Sequence, residues 1–379
     1  MKTYKWVFLI LVAGIFAACA KDSEEALLGN WKWMGQLDGP PRGYAASFVL
    51  KQGEKEYGYV CCGYNGTKIR RKDFFQYDCE SWTQLSDFQG KARMQAVGFA
   101  VNGKGYVGCG WDGDQDVMKD FWEYNPSTDT WTEVAPLPGK ARHSAIAFSL
   151  KVGGKEYGYV GTGNTEGTDK EILKDFYRFD PSGQTEVKTE DGVKMMKGKW
   201  ELIKTHTTFT KRYGGTVFII NNKAYICNGN GSGLYATVTD FWQFDPDGEL
   251  SGKSLWTELR KMADADADED YDDEYGDLKR YYGVSFTMPG GNDGLMKGYI
   301  ALGSSKPSVW EYDPITDLWV QRTKHFNYRY GISKDGATAF SFTTLNRAFV
   351  CLGIQGNAPN DEVREFFPTE EDNIYDDNY

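Results

Sequence analysis

From about residue 28 onward the chain alternates apolar and polar positions in short runs instead of in helical stripes. Pairs two residues apart, such as Val97 and Phe99 or Ile146 and Phe148, recur, and Ala45 and Phe48 open the same kind of run. A period of two places every second side chain on one face, so each run predicts a short half-buried strand. Three further runs follow each of these: a Tyr-Val segment, an Asp-Phe-aromatic segment and a segment around Trp. Turn signals divide them, as in Asn125 to Trp131 and Asp313 to Trp319, so four short strands per unit are expected.

The unit itself repeats. It runs from Arg42 to Trp82, Arg93 to Trp131, Arg142 to Trp200, Arg212 to Trp256 and Arg280 to Trp319. A sixth copy begins near Arg329 and degenerates through Arg347-Ala348-Phe349-Val350 to Val363 and Pro368, with no closing Trp. Ahead of the first Arg, Leu28-Gly29-Asn30-Trp31 has an outer-strand Trp and no unit of its own, so this N-terminal strand should complete the sixth. The pattern resembles Kelch repeats. That resemblance implies an all-β chain forming a single six-bladed Kelch-type β-propeller over residues 28–368, with four strands per blade, a to d from the centre outward, zipped shut by ladder hydrogen bonds. Cys61, Gly108, Gly161, Cys227, Ala301 and Cys351 share one strand-b position, and their small size suggests crowding near the centre.

Composition agrees, with 44 Gly and 15% aromatic residues in 379, and it narrows the partners. The net charge of −11 has the wrong sign for following a phosphate backbone, which argues against nucleic acid. Lys2 and Lys5 precede an apolar run from Trp6 to Phe16, too short to span a bilayer, and Phe16-Ala17-Ala18-Cys19 resembles a bacterial lipobox. The expectation is a signal segment at 1–19, lipidation of Cys19, a tether at 20–27 and an acidic tail at 369–379. The sequence Lys21-Asp22-Ser23-Glu24-Glu25 resembles the export signal of Bacteroidetes surface lipoproteins, so an outer-membrane protein, periplasmic or surface-exposed and monomeric, is expected. The other cysteines read as small buried residues, and no Cys and His cluster suggests a metal.

In this architecture the b–c loops and the d–a connections surround one channel mouth. The loops here carry Tyr64-Asn65, Trp111-Asp112, Asn164-Thr165-Glu166, Asn230-Gly231-Ser232, Ser304 to Lys306 and Gln355 to Asn357, a polar and aromatic rim suited to sugars. Arg42, Arg93, Arg142, Arg212, Arg280 and Arg329 head the a strands, several with a Tyr close behind. They are expected at the mouth with Trp111 and Asn164 as ligand-binding residues able to clamp a carboxylate. The acidic run from Asp264 to Glu274, within the loop 264–277, fits loose calcium binding or a solvated loop, and no other cofactor is implied. The first functional reading is a membrane-anchored binding module for a glycan or protein. The alternative resembles the Kelch-type N-acetylneuraminate epimerases (mutarotases), with His143 or Glu166 as acid or base. A copper oxidase resembling galactose oxidase would need more ligands than His143, His206 and His325 offer.

Overall fold

In a computed structural model of the chain, residues 27–166, 170–189, 192–231, 236–265, 268, 270–290, 293–304, 306–324, 326 and 334–373 are described. The predicted signal segment with Cys19, and Arg329, Ser232, Ser305 and His325, lie outside them. Among the described residues, six four-stranded antiparallel sheets form six blades, with one additional two-stranded hairpin. Blade one is Ala46–Gln52, Lys55–Cys61, Phe74–Tyr77 and Trp82–Leu85, in the order a to d. Blade two is Val97–Val101, Lys104–Gly108, Phe121–Asn125 and Thr130–Val134; blade three is Ile146–Val152, Lys155–Gly161, Phe176–Thr189 and Gly192–Ile203. Blade four is Thr216–Ile220, Lys223–Cys227, Trp242–Phe244 and Trp256–Glu258; blade five is Val284–Pro289, Met296–Ala301, Val309–Asp313 and Leu318–Gln321.

Blade six joins the two ends of the chain. Its strands are Thr338–Phe342, Arg347–Cys351, Glu362–Glu371 and, outermost, Leu28–Gln36. The last two pair antiparallel from Leu28 opposite Glu371 to Gln36 opposite Glu362. The predicted closure is therefore present, and strand c extends to Glu371, three residues into the segment expected to be an acidic tail. Trp31 fills the core of the closing blade against Phe286, Phe326 and Phe366 at centroid distances of 6.0, 4.9 and 4.8 Å.

Six apolar clusters lie between neighbouring blades, not within them. A strand-a Phe of each blade stacks over a Gly or Ala on strand b of the next: Phe48 over Gly105, Phe99 over Gly158, Phe218 over Gly298 and Phe340 over Gly58. A Cβ on Gly105 or Gly298 would lie 2.3 or 2.1 Å from that ring, so the recurrent Gly-Tyr-Val is a packing requirement. The six small residues ending strand b are crowded too, but from a different side than expected. A Cβ on Gly161 would meet Phe176 of its own strand c at 2.1 Å, so strand c and not the channel centre limits their size.

The insertion in blade three lengthens strands c and d to 14 and 12 residues. This ribbon braces blade two: Met196 enters the shared cluster, and the Lys197 ammonium donates to both Glu123 oxygens at 2.8 and 2.6 Å. The six described cysteines are buried free thiols. The a strands surround a central cavity of about 310 Å³ lined by small residues, among them Ala45, Ala96, Ala145, Gly215, Gly283 and Ala337.

Candidate functional site at the channel mouth

The recurrent arginines are structural, which corrects the expectation that they bind ligand. Arg42, Arg93, Arg142, Arg212 and Arg280 are 0% exposed. The first four grip the Asp that opens strand c of their own blade. Arg42 bonds both Asp73 oxygens at 2.6 Å, Arg93 those of Asp120 at 2.6 and 2.8 Å, Arg142 those of Asp175 at 2.8 Å, and Arg212 reaches Asp240 at 2.6 Å. Each also donates from Nε to the carbonyl two residues earlier and from Nη1 to the carbonyl just after strand b, as Arg93 does to Lys91 at 2.8 Å and Cys109 at 2.9 Å. A guanidinium with four of its five N–H groups used this way and 0% exposed ties strands a, b and c together and is closed off from a ligand.

Blade five departs from the rule, because Ser308 stands in the Asp position. Arg280 donates instead to the Ser308 carbonyl, the Ser308 Oγ and the Asp277 carbonyl, and burial lowers its pKa to about 10. In blade six the equivalent residue is Lys334, five positions beyond Arg329. Its carbonyl accepts from Gly303 N–H, as those of Arg93, Arg142, Arg212, Arg280 and Arg42 accept from the matching glycines. Lys334 pairs with Glu362 at 2.7 Å, so the charge pair is kept with both partners exchanged. The Arg-Tyr-Gly at 329–331 imitated the motif at the wrong register.

Two residues beyond each of these cations, Tyr44, Gln95, Ser144, Gly214, Tyr282 and Gly336 all take left-handed backbone, with φ between 52 and 61°. Their peptides form a closed circle of six hydrogen bonds, each N–H donating to the carbonyl of the preceding blade at 2.7 to 3.0 Å. The side chains at this level close the mouth. Tyr282 reaches across from blade five, its hydroxyl 3.3 Å from Ser144 Oγ and accepting from Gln95 Nε2 at 3.2 Å. Tyr44 packs edge-on against it, centroids 5.1 Å apart. The two glycines make this possible, since a Cβ on Gly336 would lie 2.4 Å from Tyr44 and one on Gly214 2.8 Å from Tyr282. Burial pushes both phenol pKa values up, with the nearby Asp335 charge adding to the effect, so both hydroxyls remain protonated.

Around this floor the b–c loops of blades one to three build a ledge. The Arg70 guanidinium lies 4.5 Å over the Tyr64 ring and 5.9 Å from that of Trp111. His143 stacks near Trp111 at 5.8 Å and 29°, which places an imidazole, an indole and a guanidinium side by side. Glu166 contacts His143 Nε2 at 3.1 Å and accepts from the Lys170 ammonium at 3.1 Å, while His143 Nδ1 is 3.0 Å from Ser144 Oγ. Burial lowers the His143 pKa below the usual imidazole value, against the opposing pull of Glu166, so the ring is neutral at pH 7. A chain of polar contacts thus runs Glu166, His143, Ser144, Tyr282, Gln95.

Several polar atoms here have no partner among the described residues: Gln95 Oε1, Trp111 Nε1, Asn164 Oδ1, Asn230 Oδ1 and Arg70 Nε, all buried. The backbones of Trp111, Asn164 and Asn230 are pinned by bridges to Met94, His143 and Tyr213, which hold the loops in register with the a strands.

The Kelch motif matches residues 98–138, the body of blade two with its exit. A solved structure titled "Structure of YjhT" superposes with a TM-score of 0.60 at 15% identity, covering 87% of this chain and 95% of that one. The chain folds as a six-bladed β-propeller of the same architecture, and its second blade matches the Kelch motif. Comparison with curated proteins returns no match. At this level of identity the likeness speaks for the propeller's fold and leaves the site to be argued from its own residues.

Of the residues expected at the propeller's mouth, Trp111 and Asn164 are there, the five described arginines are sealed below it, and His143 and Glu166 are in contact. The sequence reading missed Arg70, Gln95, Ser144 and Tyr282. Arg70 sits in the basic stretch Lys68 to Lys72 of an acidic chain, a usable signal. The others follow the repeat cation by two positions, which nothing in composition marks as central. The acidic run lies on the d–a connection between blades four and five as expected. Asp272 is buried there, its Oδ2 accepting from Ala265 N–H at 2.8 Å. His206 is remote from His143, stacking on Trp242 at 4.9 Å.

Proposed function

We propose that the mouth face binds a glycan, with an acidic sugar as the preferred ligand, and that lipidation of Cys19 presents this face from a bacterial outer membrane. The observation carrying the glycan reading is the set of buried, unpartnered polar atoms, Gln95 Oε1, Trp111 Nε1, Asn164 Oδ1 and Asn230 Oδ1, beside Tyr64, Trp111 and Tyr282. Each such atom costs about 1–3 kcal/mol when left without a hydrogen bond. A ligand with several hydroxyls on an apolar face supplies the missing partners and a surface to stack. Arg70, held by stacking instead of a carboxylate fork, supports an anionic group on that ligand.

The test is isothermal titration of the chain from Lys21 onward with N-acetylneuraminate, glucuronate and neutral hexoses. Saturable binding of an acidic sugar that Trp111→Ala weakens at least about tenfold is expected, as for loss of a stacking platform and one hydrogen bond. Equal binding by Trp111→Ala would remove the mouth from consideration. A second reading, an epimerase acting on such a sugar, draws on the His143 contacts with Glu166 and Ser144, which suit proton transfer. Anomer exchange followed by NMR, abolished in Glu166→Gln with binding retained, would select it.

A further inference from the structure

On the outer rim of the same face, between blades two, three and four, lies a cleft of about 640 Å³ whose charge opposes that of the whole chain. Its walls carry Lys119, Lys140, Lys174 and Lys211, and its floor is Tyr177. Asp175 in the floor is spent on Arg142 and the Lys174 ammonium donates to the Thr207 carbonyl at 2.9 Å, so Glu171 is the carboxylate left to face Lys119, Lys140 and Lys211. Lys140 and Lys211 both pair with it, the latter at 3.4 Å.

At the cleft, blade three differs from its two neighbours. At the position of Tyr177, blades two and four have Trp122 and Trp242, whose indole N–H groups donate to Asp120 at 2.9 Å and Asp240 at 2.6 Å and fill the space. Tyr177, one ring smaller, hydrogen-bonds Asp175 in the same way and lines the cleft. Gly139 lets the chain pass close by, since a Cβ there would lie 2.7 Å from the Tyr177 hydroxyl and 2.8 Å from Arg142 Nη2.

The cleft and the mouth ledge share one loop. Thr165 N–H donates to the Glu171 carbonyl at 3.0 Å, and Glu171 N–H donates to Thr165 Oγ1 at 2.7 Å, closing the neck of the loop 165–171. Glu166 leaves that neck toward His143, and Glu171 leaves it toward Lys140 and Lys211.

We infer that the basic cleft is a second subsite, taking a carboxylate or sulfate group of an anionic glycan chain whose other end occupies the mouth, so that the ligand is an oligosaccharide and not a single sugar. The inference rests on the glycan reading of the mouth and extends it. A sugar unit resting beside Trp111 and His143 is separated from the cleft by the Thr165–Glu171 neck, so a single sugar does not reach both. Charges spaced along a polymer suit several exposed lysines better than one compact anion does, because each ammonium is a flexible point charge without a fixed fork.

The probes are galacturonate and its linear oligomers of two to six units, with neutral gluco-oligomers of equal length as controls, titrated into wild type, Lys119→Ala/Lys211→Ala and Arg70→Ala. Both lysines are exposed, and Lys140 keeps its pair with Glu171, so the double variant should fold normally. Expected is an affinity that rises with length for the charged series, a loss of about tenfold on the hexamer in the lysine variant, consistent with two exposed charge contacts, and no change on the monomer. The gain with length should shrink in 0.5 M salt. Equal affinity for monomer and hexamer, or a lysine variant that binds the hexamer like wild type, overturns the inference. If Arg70→Ala leaves hexamer binding untouched while the lysine variant loses it, the mouth reading falls and the spanning ligand with it. Loss of monomer binding in Arg70→Ala, with residual hexamer binding that depends on the two lysines, supports both.

Discussion

Replacing Arg93 with Ala tests whether the recurrent arginines hold the blades or hold a ligand. The side chain donates to both Asp120 oxygens and to the carbonyls of Lys91 and Cys109, all between 2.6 and 2.9 Å. Removing one partner of a buried pair costs roughly 3–5 kcal/mol, mostly for the charge left behind. Asp120 retains 27% of its side-chain exposure and an indole donor from Trp122, which reduces the figure to about 2–3 kcal/mol. With a urea slope of about 3 kcal/mol/M for a chain of this size, the unfolding midpoint should fall by somewhat less than about 1 M. Burial by itself would raise the Asp120 pKa, but the Arg93 hydrogen bonds and charge outweigh it and hold the carboxyl below its usual range. A depressed carboxylate pKa contributes stability that is complete above the unfolded value near 3.9 and is lost as pH falls through the folded one. The difference between wild type and variant should therefore be full at pH 7 and narrow below about pH 4. Urea titrations at pH 7 and pH 3, with sugar binding measured on the folded variant, decide the matter. An unchanged midpoint together with lost binding would refute the structural assignment and return Arg93 to the ligand.

Further outcomes are expected. Gly336→Ala should displace Tyr44 from the mouth and destabilise by about 1–3 kcal/mol, since the new Cβ meets the ring at 2.4 Å on left-handed backbone; urea unfolding and tyrosine fluorescence report both effects. Glu166→Gln should lower the His143 pKa further, because Glu166 is the group pulling it up against burial; imidazole resonances followed by NMR between pH 4 and 8 would show the shift. The sign for stability is that a His pKa depressed by folding contributes fully above about 6.5 and loses that contribution as pH falls toward the folded value, so the mouth should loosen below about pH 6.5. Trp31→Ala should cost roughly 3–5 kcal/mol by emptying the closing blade's core, and a chain starting after Gln36 should fail to give a compact monomer in size-exclusion chromatography, because strand c of blade six would then lose its only outer partner.

Fold and site differed in how far the sequence exposed them. Blade count, strand order and the closure by Leu28–Gln36 were legible because each rests on a repeated local pattern, and repetition averages out the ambiguity of any one copy. The sixth blade shows where this fails. With Asp replaced by Glu362 and Arg by Lys334, the local pattern favoured Arg329, and only the hydrogen bond from Gly303 to the Lys334 carbonyl fixes the register. The function of the arginines was misplaced for a related reason. The cation and its Asp are 27 residues apart in blade two and 33 in blade three, so nothing local to Arg93 or Arg142 announces that its charge is already answered.

The sequence alone therefore determined the all-β class, six units, the closing strand and the loops that form the mouth, since these follow from periodicity, turn chemistry and the order of the repeats. Only the tertiary structure decided which of those residues are free to meet a ligand. Tyr282 with Ser144 and Gln95, Arg70 with Trp111, and Tyr177 with the surrounding lysines come from different blades, and what they can bind depends on distances set when the circle of blades closes.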